Sequence, residues 1–569
     1  MYQRFKKWKE HWRKNLLIIT FILYIFSAGA LFSFRAFSYN HYERIEFNSA
    51  ESRLYANLYF PIDFPLKNEE RPLVIFVHGL GSQRDLDIRV PIEFTKRGYF
   101  VVTLDYQGQG ESEGNLLKKI PGSDIPALSQ DCSRLLDTIQ ADADFETYIN
   151  SSQIGLIGHS LGGMVALMNQ AFDDRFKVTV TWSGLINATP YMFSIPKDDP
   201  FVDYFPSNFM NKNNTENLLV IHHQNDGLLP YNHHVPVAQK LTNCEVIKIT
   251  DPLLGGAHTL FSDRALRETI KWFDIQFFGS LKKPIRFSYK IDYVLLILTY
   301  ATMFLLVLAI VASISQFFKV DPSFKEQNIR DEYVELSGNE KKIRIVNILF
   351  YFALFIAFYQ ISVFFFDLLG LILAPVFLLI SYGIAKAIGF LKKPKEERKR
   401  YFQVEKLEFQ FELHFLGYSV VSTGIFLGFY LVNAISYPFA FFWPSNFVSF
   451  ILAYTVYPLY LAMEIFYRKV IYPKLNFIES RKRKIMVISL MSIINHGILM
   501  ILSWNLFIIQ SLLVSYLVSL VVVILNGVIY TKTEQFSSVI LSSFLIIQLF
   551  FGAAVSNALS VSSVLHLFI

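Results

Sequence analysis

Residues 153–172 read QIGLIGHSLGGMVALMNQAF, and the reading of this stretch decides the fold. Ile154 to Ile157 form a short apolar run, the expected look of a strand buried on both faces. Gly158-His159-Ser160-Leu161-Gly162 is a turn, and from Gly163 the pattern becomes that of an apolar helix. A serine between strand and helix in Gly-x-Ser-x-Gly sits on a sharp, strained corner. Bulky side chains two positions to either side would strike the neighbouring backbone, and Gly158 and Gly162 remove them. A helix beginning at the serine also aims its first N–H groups at any negative charge developing nearby.

Outward from this corner, other strands end in polar turns. LVIFVHGLG (73–81) and YFVVTLDYQGQGESEG (99–114) precede it. VTVTWS (178–183), LLVIH (218–222) and the run 246–250 follow, and a helix is expected over 263–278. An acid and a histidine should come after the serine in that order. Asp226 lies just past a strand end in HQNDGLLP, and His258 lies in the glycine-rich LLGGAHTLF. That spacing makes Ser160 the nucleophile, His258 its base and Asp226 the group that orients the histidine. Asp251 competes with Asp226 by chain order. Asp105 precedes the serine and belongs to a structural turn, while His78 orders its own loop and His159 fills the variable position of the corner. His222, His223, His233 and His234 invite a metal reading, but neighbouring strand positions face opposite ways and no carboxylate stands at a ligand spacing. No metal and no cofactor are expected.

Residues 41–281 resemble an α/β-hydrolase, nearest in texture to the serine aminopeptidase, monoacylglycerol lipase and prolyl-oligopeptidase-related branch. The carrying motifs are HGLG (78–81), DYQGQGESEG (105–114), GHSLGG (158–163), QND (224–226) and GGAH (255–258). The resemblance implies a mostly parallel, doubly wound sheet and an oxyanion hole made by the backbone N–H groups of Leu161 and Leu80. The family usually carries Asp-x-Arg-Gly-x-Gly at the second motif. Gln107 stands where the arginine would, so any ion pair that arginine makes is in doubt here.

The chain as a whole is not a soluble enzyme. Of its 569 residues 53% are hydrophobic and only 18% charged, with mean hydropathy +0.35; a soluble domain carries about 25% charged residues. Residues 36–290 hold 24 Lys and Arg against 30 Asp and Glu, so the net charge of +6 comes from the rest. A basic remainder made of apolar runs points to a lipid bilayer and argues against nucleic acid. Residues 1–15 form a basic cytoplasmic N-terminus, and 16–34 read as an uncleaved signal anchor, with Ser27-Ala28-Gly29-Ala30 leaving cleavage open. The α/β domain then occupies 39–283. An all-α bundle of eight spans follows within 293–557, at about 293–318, 345–366, 368–391, 413–435, 447–466, 485–503, 506–530 and 536–557. Tight hairpins are expected at Asp367 and at Trp504-Asn505.

Basic residues gather in 319–344, 392–406 and 468–484, and are missing from the connections near Asp367, at 436–446 and at 504–505. With nine spans this places every basic loop inside and the α/β domain on the extracytoplasmic face of a cell membrane. Among the few intramembrane polar residues, Glu464 has Arg468 one turn on, and His496 sits mid-span as a contact between helices. Cys132 and Cys244 read as two thiols rather than a disulfide framework. Sequons at Asn150, Asn187 and Asn213 are compatible with glycosylation.

Substrate is less sharply written. The stretch between Ser183 and Asn217 is where a lid would lie, and Tyr191, Met192, Phe193, Phe201, Tyr204, Phe205, Phe209 and Met210 would suit an acyl chain or simply the domain's own core. Nothing marks a site for a peptide amine, which favours ester or lipid substrates over peptides. The alternatives are a peptidase-like amide hydrolase, and a transporter or channel with an accessory hydrolase domain.

Overall fold

The computed structural model describes the chain apart from residues 1, 39–41, 65–68, 81, 85–86, 117, 143–146, 188–203, 254–256, 321–332, 392–411, 437–456, 503–508 and 547–569. Helix α1 (Tyr2–Ser38) leads into an eight-stranded sheet. Its strands are β1 (Tyr42–Ser49), β2 (Ser52–Tyr59), β3 (Arg71–Val77), β4 (Phe100–Asp105), β5 (Ile149–His159), β6 (Val178–Trp182), β7 (Leu218–His223) and β8 (Glu245–Ile249). Their order across the sheet is β1-β2-β4-β3-β5-β6-β7-β8. All pairings from β4 to β8 are parallel, and β1 and β2 are antiparallel at one edge.

The continuous apolar runs are explained by burial on both faces. Leu73, Ile75 and Val77 of β3 face one core, with Leu135 and Leu136 of α3 (Asp131–Gln140) and Met164, Val165 and Met168 of α4 (Leu161–Phe172). Val74 and Phe76 face the other, with Val90 and Phe94 of α2 (Arg89–Thr95). The same core takes Leu266, Ile270 and Phe273 of α6 (Asp263–Phe278), which follows α5 (Tyr231–Leu241) and β8. Period-two alternation sends successive side chains to the two cores. Because the strands from β4 to β8 across the sheet are parallel, their C-terminal ends and the loops that follow them lie along one edge.

Contacts divide the chain into two compact units, and Ile25–Thr299 carries the sheet. The second unit holds most of the remaining helices: the main part of α7 (Tyr289–Ile314), then α8 (Gly338–Leu391), α9 (Leu413–Ser436), α10 (Tyr457–Ile465), α11 (Arg481–Leu502) and α12 (Ile509–Thr533). Among the described residues three helices are long and apolar enough to cross a membrane: Asn15–Phe37, Tyr289–Ile314 and Leu413–Asn433.

One expectation is corrected. The hairpin at Asp367, dividing spans 345–366 and 368–391, is not formed: α8 runs unbroken for 54 residues. Asp367 lies in Phe366-Asp367-Leu368-Leu369, with no Gly, Pro or Asn at the centre of the supposed turn, and a lone carboxylate does not break a helix. A helix of that length extends about 80 Å, well over twice the thickness of a bilayer's hydrocarbon core. The second expected hairpin, at 504–505, lies outside the described residues. So do the first part of the span at 447–466 and the end of that at 536–557. Glu464 and Arg468 pair at 2.6 Å as the spacing suggests. His496 hydrogen-bonds to Ser492 of its own helix at 2.7 Å, and its ring lies 5.8 Å from that of Tyr460 on α10.

Candidate active site

Ser160 follows β5 directly and stands at φ +54, ψ −119, a left-handed conformation that a side chain rarely adopts. Its backbone is fixed from several directions. Ser160 N–H donates to Trp182 O at 3.0 Å, and Ser160 O accepts from Gly163 and Leu185 at 2.9 Å each. The flanking glycines are obligatory. A Cβ on Gly158 would stand 2.2 Å from Gly162 O, and one on Gly162 would stand 2.3 Å from Val77 O and 2.4 Å from His78 O.

The structure brings together the three residues named from spacing. Ser160 Oγ lies 2.9 Å from His258 Nε2, and His258 Nδ1 lies 2.8 Å from Asp226 Oδ2. Asp226 sits just past β7, where its Oδ1 accepts the N–H groups of Leu228 and Leu229 at 2.9 Å each. Burial works to raise this carboxyl's pKa, but the bond to His258, that ring's charge and the Leu229 N–H outweigh it and hold it at about 2. It is therefore an acceptor at neutral pH. His258 accordingly carries its proton on Nδ1 and offers Nε2 to the serine hydroxyl. Asp251, the competing acid, takes no part, and its backbone carbonyl accepts from His223 Nε2 at 2.9 Å.

Of the two residues expected at the oxyanion hole, Leu161 follows the serine directly, and Leu80 follows Gly79. Leu161 opens α4, and the turn with Leu80 is pressed against the corner: a Cβ on Gly79 would lie 3.2 Å from Ser160 Cβ and 2.8 Å from His159 Nδ1. His78 orders its own loop, reaching Gly79 O at 2.8 Å and Asp105 at 3.1 Å. Asp105 is structural, bound by Arg84 and by the Glu111 N–H. His234 Nδ1 accepts from Ile186 and Asn187 backbone N–H groups, and His222 Nε2 donates to Leu229 O at 2.7 Å. Among the described residues no three His, Cys, Asp or Glu side chains are placed to hold a metal ion.

One feature escaped the sequence, and a second was visible there only as a missing arginine. His159, read as a filler, donates from Nε2 to the backbone carbonyl of His258 at 2.9 Å, tying the histidine loop to the serine corner. Burial and the neighbouring His258 lower its pKa to about 4, so it stays neutral in that role. The second concerns Gln107. Its backbone N–H donates to Asp131 at 2.9 Å and its side chain donates to Ser49 O at 2.9 Å. Asp131, fully buried, also accepts from Ser49 Oγ at 2.7 Å and meets no cation among the described residues. The arginine usual at position 107 would stand beside this carboxylate.

Of the expected lid, Tyr191, Met192, Phe193 and Phe201 lie outside the described residues. Phe205 and Met210 are buried in the domain's own cores, and Tyr204 stacks on Phe209 at 5.4 Å. Those four therefore act as packing groups.

Part of the sheet-bearing domain is similar to known proteins. Residues 68–236 match the family described as serine aminopeptidase, S33. An uncharacterized 31.7 kDa protein of Escherichia coli is 32% identical over 121 residues, 21% of this chain and 38% of its own length. Platelet-activating factor acetylhydrolase of Cavia porcellus is 23% identical over 186 residues, 26% of this chain and 41% of its own. The chain thus spans about two-fifths of the length of these curated relatives. Among solved structures, an acylaminoacyl peptidase of Pyrococcus horikoshii aligns at 16% identity and TM-score 0.33, covering 46% of this chain and 45% of its own.

Proposed function

With its sheet-bearing domain belonging to the α/β-hydrolase superfamily, we propose that this chain is a membrane-bound serine hydrolase that cleaves carboxylic esters through an acyl-enzyme. The observation that carries the proposal is the unbroken series Ser160 Oγ, His258 Nε2, His258 Nδ1, Asp226 at 2.9 and 2.8 Å, built on a strained turn at a helix N-terminus. His258 removes the Ser160 proton as Oγ attacks the carbonyl, and the new oxyanion is met by the Leu161 and Leu80 N–H groups. His258 then protonates the departing alcohol, and Asp226 stabilises the imidazolium in between. Water, activated by His258 in turn, releases the acid. None of these steps calls on a cofactor.

Ester substrates at the bilayer are the finer part of this reading. Supporting it are the apolar helices on both sides of the domain and a relative whose name describes an acetylhydrolase. The basic segment 1–15 ahead of the apolar run 16–34 supports placing the domain on the extracytoplasmic face of a cell membrane. The later basic segments do not add to this, because the unbroken α8 has 319–344 at its start and 392–406 after its end. The family match to aminopeptidases favours amide cleavage as the second reading. Purified full-length chain offered p-nitrophenyl esters of two to twelve carbons beside aminoacyl anilides separates the two. Ester turnover lost in Ser160→Ala is expected, and anilide turnover without ester turnover would overturn the proposal.

A further inference from the structure

Two residues beyond His258 the backbone passes through Leu260, fully buried and at φ +48, and then Phe261, before Ser262 caps α6 by accepting from Ala265 N–H. A leucine does not hold a left-handed conformation unaided, so the loop must be gripped by its surroundings. On one side the grip is Arg89. Its Nη1 donates to Leu260 O at 3.3 Å, and its guanidinium lies 4.4 Å from the Phe261 ring and 5.0 Å from that of Trp182. Asp87 fixes the guanidinium through two bonds of 2.9 and 2.6 Å.

On the other side the grip comes from α7, the apolar helix that follows the domain. Tyr289 and Tyr293, one turn apart, set their rings edge-on to Phe261 with centroids 6.1 and 5.8 Å away. Tyr289 also bonds through its hydroxyl to Asp263, the first residue of α6, and Lys290 pairs with the same carboxylate at 2.5 Å.

The start of α7 is itself held in register. Glu93 of α2, fully buried, accepts the N–H groups of Ser288 at 2.5 Å and Tyr289 at 3.0 Å, a carboxylate at a helix N-terminus. Asp292 receives both prongs of Arg35, near the end of α1, at 2.7 and 2.8 Å, with both side chains buried. A two-pronged pair of this kind fixes orientation as well as distance. All of these residues fall in the compact unit Ile25–Thr299.

We infer that Tyr293 of α7 is a positioning residue for His258, so that the first turns of this helix belong to the scaffold of the active site and are more than a tether. The inference rests on the hydrolase reading above. Without the Tyr293 edge, Phe261 loses a wall and the loop relaxes toward ordinary backbone angles. The 2.9 Å approach of His258 Nε2 to Ser160 Oγ then lengthens. A shift of about 1 Å in reacting groups costs up to about 100-fold in rate.

The test uses the full chain in membranes and a fluorophosphonate probe, reading both the rate constant of labelling and the fraction finally labelled. In Tyr293→Leu the rate constant should fall about 10- to 100-fold while the final fraction stays that of the wild type. KM for p-nitrophenyl acetate should move by less than about twofold. Tyr293→Phe, which keeps the ring, should restore the rate. An unchanged rate constant in Tyr293→Leu overturns the inference. So does a smaller labelled fraction that reacts at the wild-type rate, because that is the signature of partial unfolding alone. If the leucine variant does not accumulate, Phe261→Leu removes the same contact from the loop side and carries the same expectation. A wild type that labels no better than Ser160→Ala would instead remove the hydrolase reading, and the inference with it.

Discussion

Asp131 is a buried carboxylate placed where folding works against it, and replacing it with asparagine should make the domain more stable at neutral pH. Burial raises its pKa, the Gln107 and Ser49 hydrogen bonds partly oppose this, and the group titrates at about 6 against an ordinary 3.8. Below about pH 4 the acid is protonated in both folded and unfolded chains and stability owes nothing to the difference. As pH rises from about 4 to 6 the unfolded chain releases its proton while the folded one retains it, so stability falls. Above 6 the loss is complete. Two units of pKa correspond to about 3 kcal/mol. Asparagine can keep its Oδ1 toward Gln107 N–H and turn its amide toward Ser49 Oγ, retaining the bonds without the charge. For a domain of this size about 3 kcal/mol is about 6–12 °C in Tm. Thermal unfolding of the full chain in detergent, followed by tryptophan fluorescence from pH 4 to 8, should show Asp131→Asn rising above the wild type only as pH increases. A variant less stable than the wild type by the same margin at every pH would refute the reasoning.

Asp226→Asn should lower kcat by about 10⁴ with little change in KM. Leu228 and Leu229 N–H hold the asparagine's oxygen, so its amide N–H faces His258 Nδ1 and forces the proton onto Nε2, where it cannot accept from Ser160; activity above a tenth of wild type would contradict this. Asp274→Ala should cost about 3–5 kcal/mol, because it strips buried Arg97 and the Tyr99 hydroxyl of their shared partner. The apolar double variant Arg97→Met/Asp274→Leu should recover most of the loss in the same unfolding assay.

Strands β3, β4 and the core of β5 were legible as closed apolar runs, and β6 to β8 as short runs rich in Val and Ile, each followed by a polar turn. Ser160, Asp226 and His258 were legible because they lie in the turns and loops after such strands. The edge hairpin β1-β2 was not. Its two-residue turn, Ala50-Glu51, takes φ +45 and +63 without the Asn or Gly that usually announces such a turn. His159 escaped because its value lies in a bond to a backbone carbonyl 99 residues away, which no local pattern records. The aromatic lid residues were ambiguous for a plainer reason: Phe205 and Met210 have the composition of an acyl site and the position of a core. In the apolar half, hydropathy marks where helices are but not where they end. The unbroken α8 shows that one aspartate in a run of Phe and Leu carries too little turn information to divide a helix.

The central claim is that Ser160 is an activated nucleophile in a domain on the outer face of the membrane. Labelling intact cells with a membrane-impermeant fluorophosphonate, wild type beside Ser160→Ala, tests both parts at once. The account predicts strong labelling of the wild type and none of the variant. Labelling that appears only after lysis would contradict the topology, and no labelling under either condition would contradict the nucleophile itself.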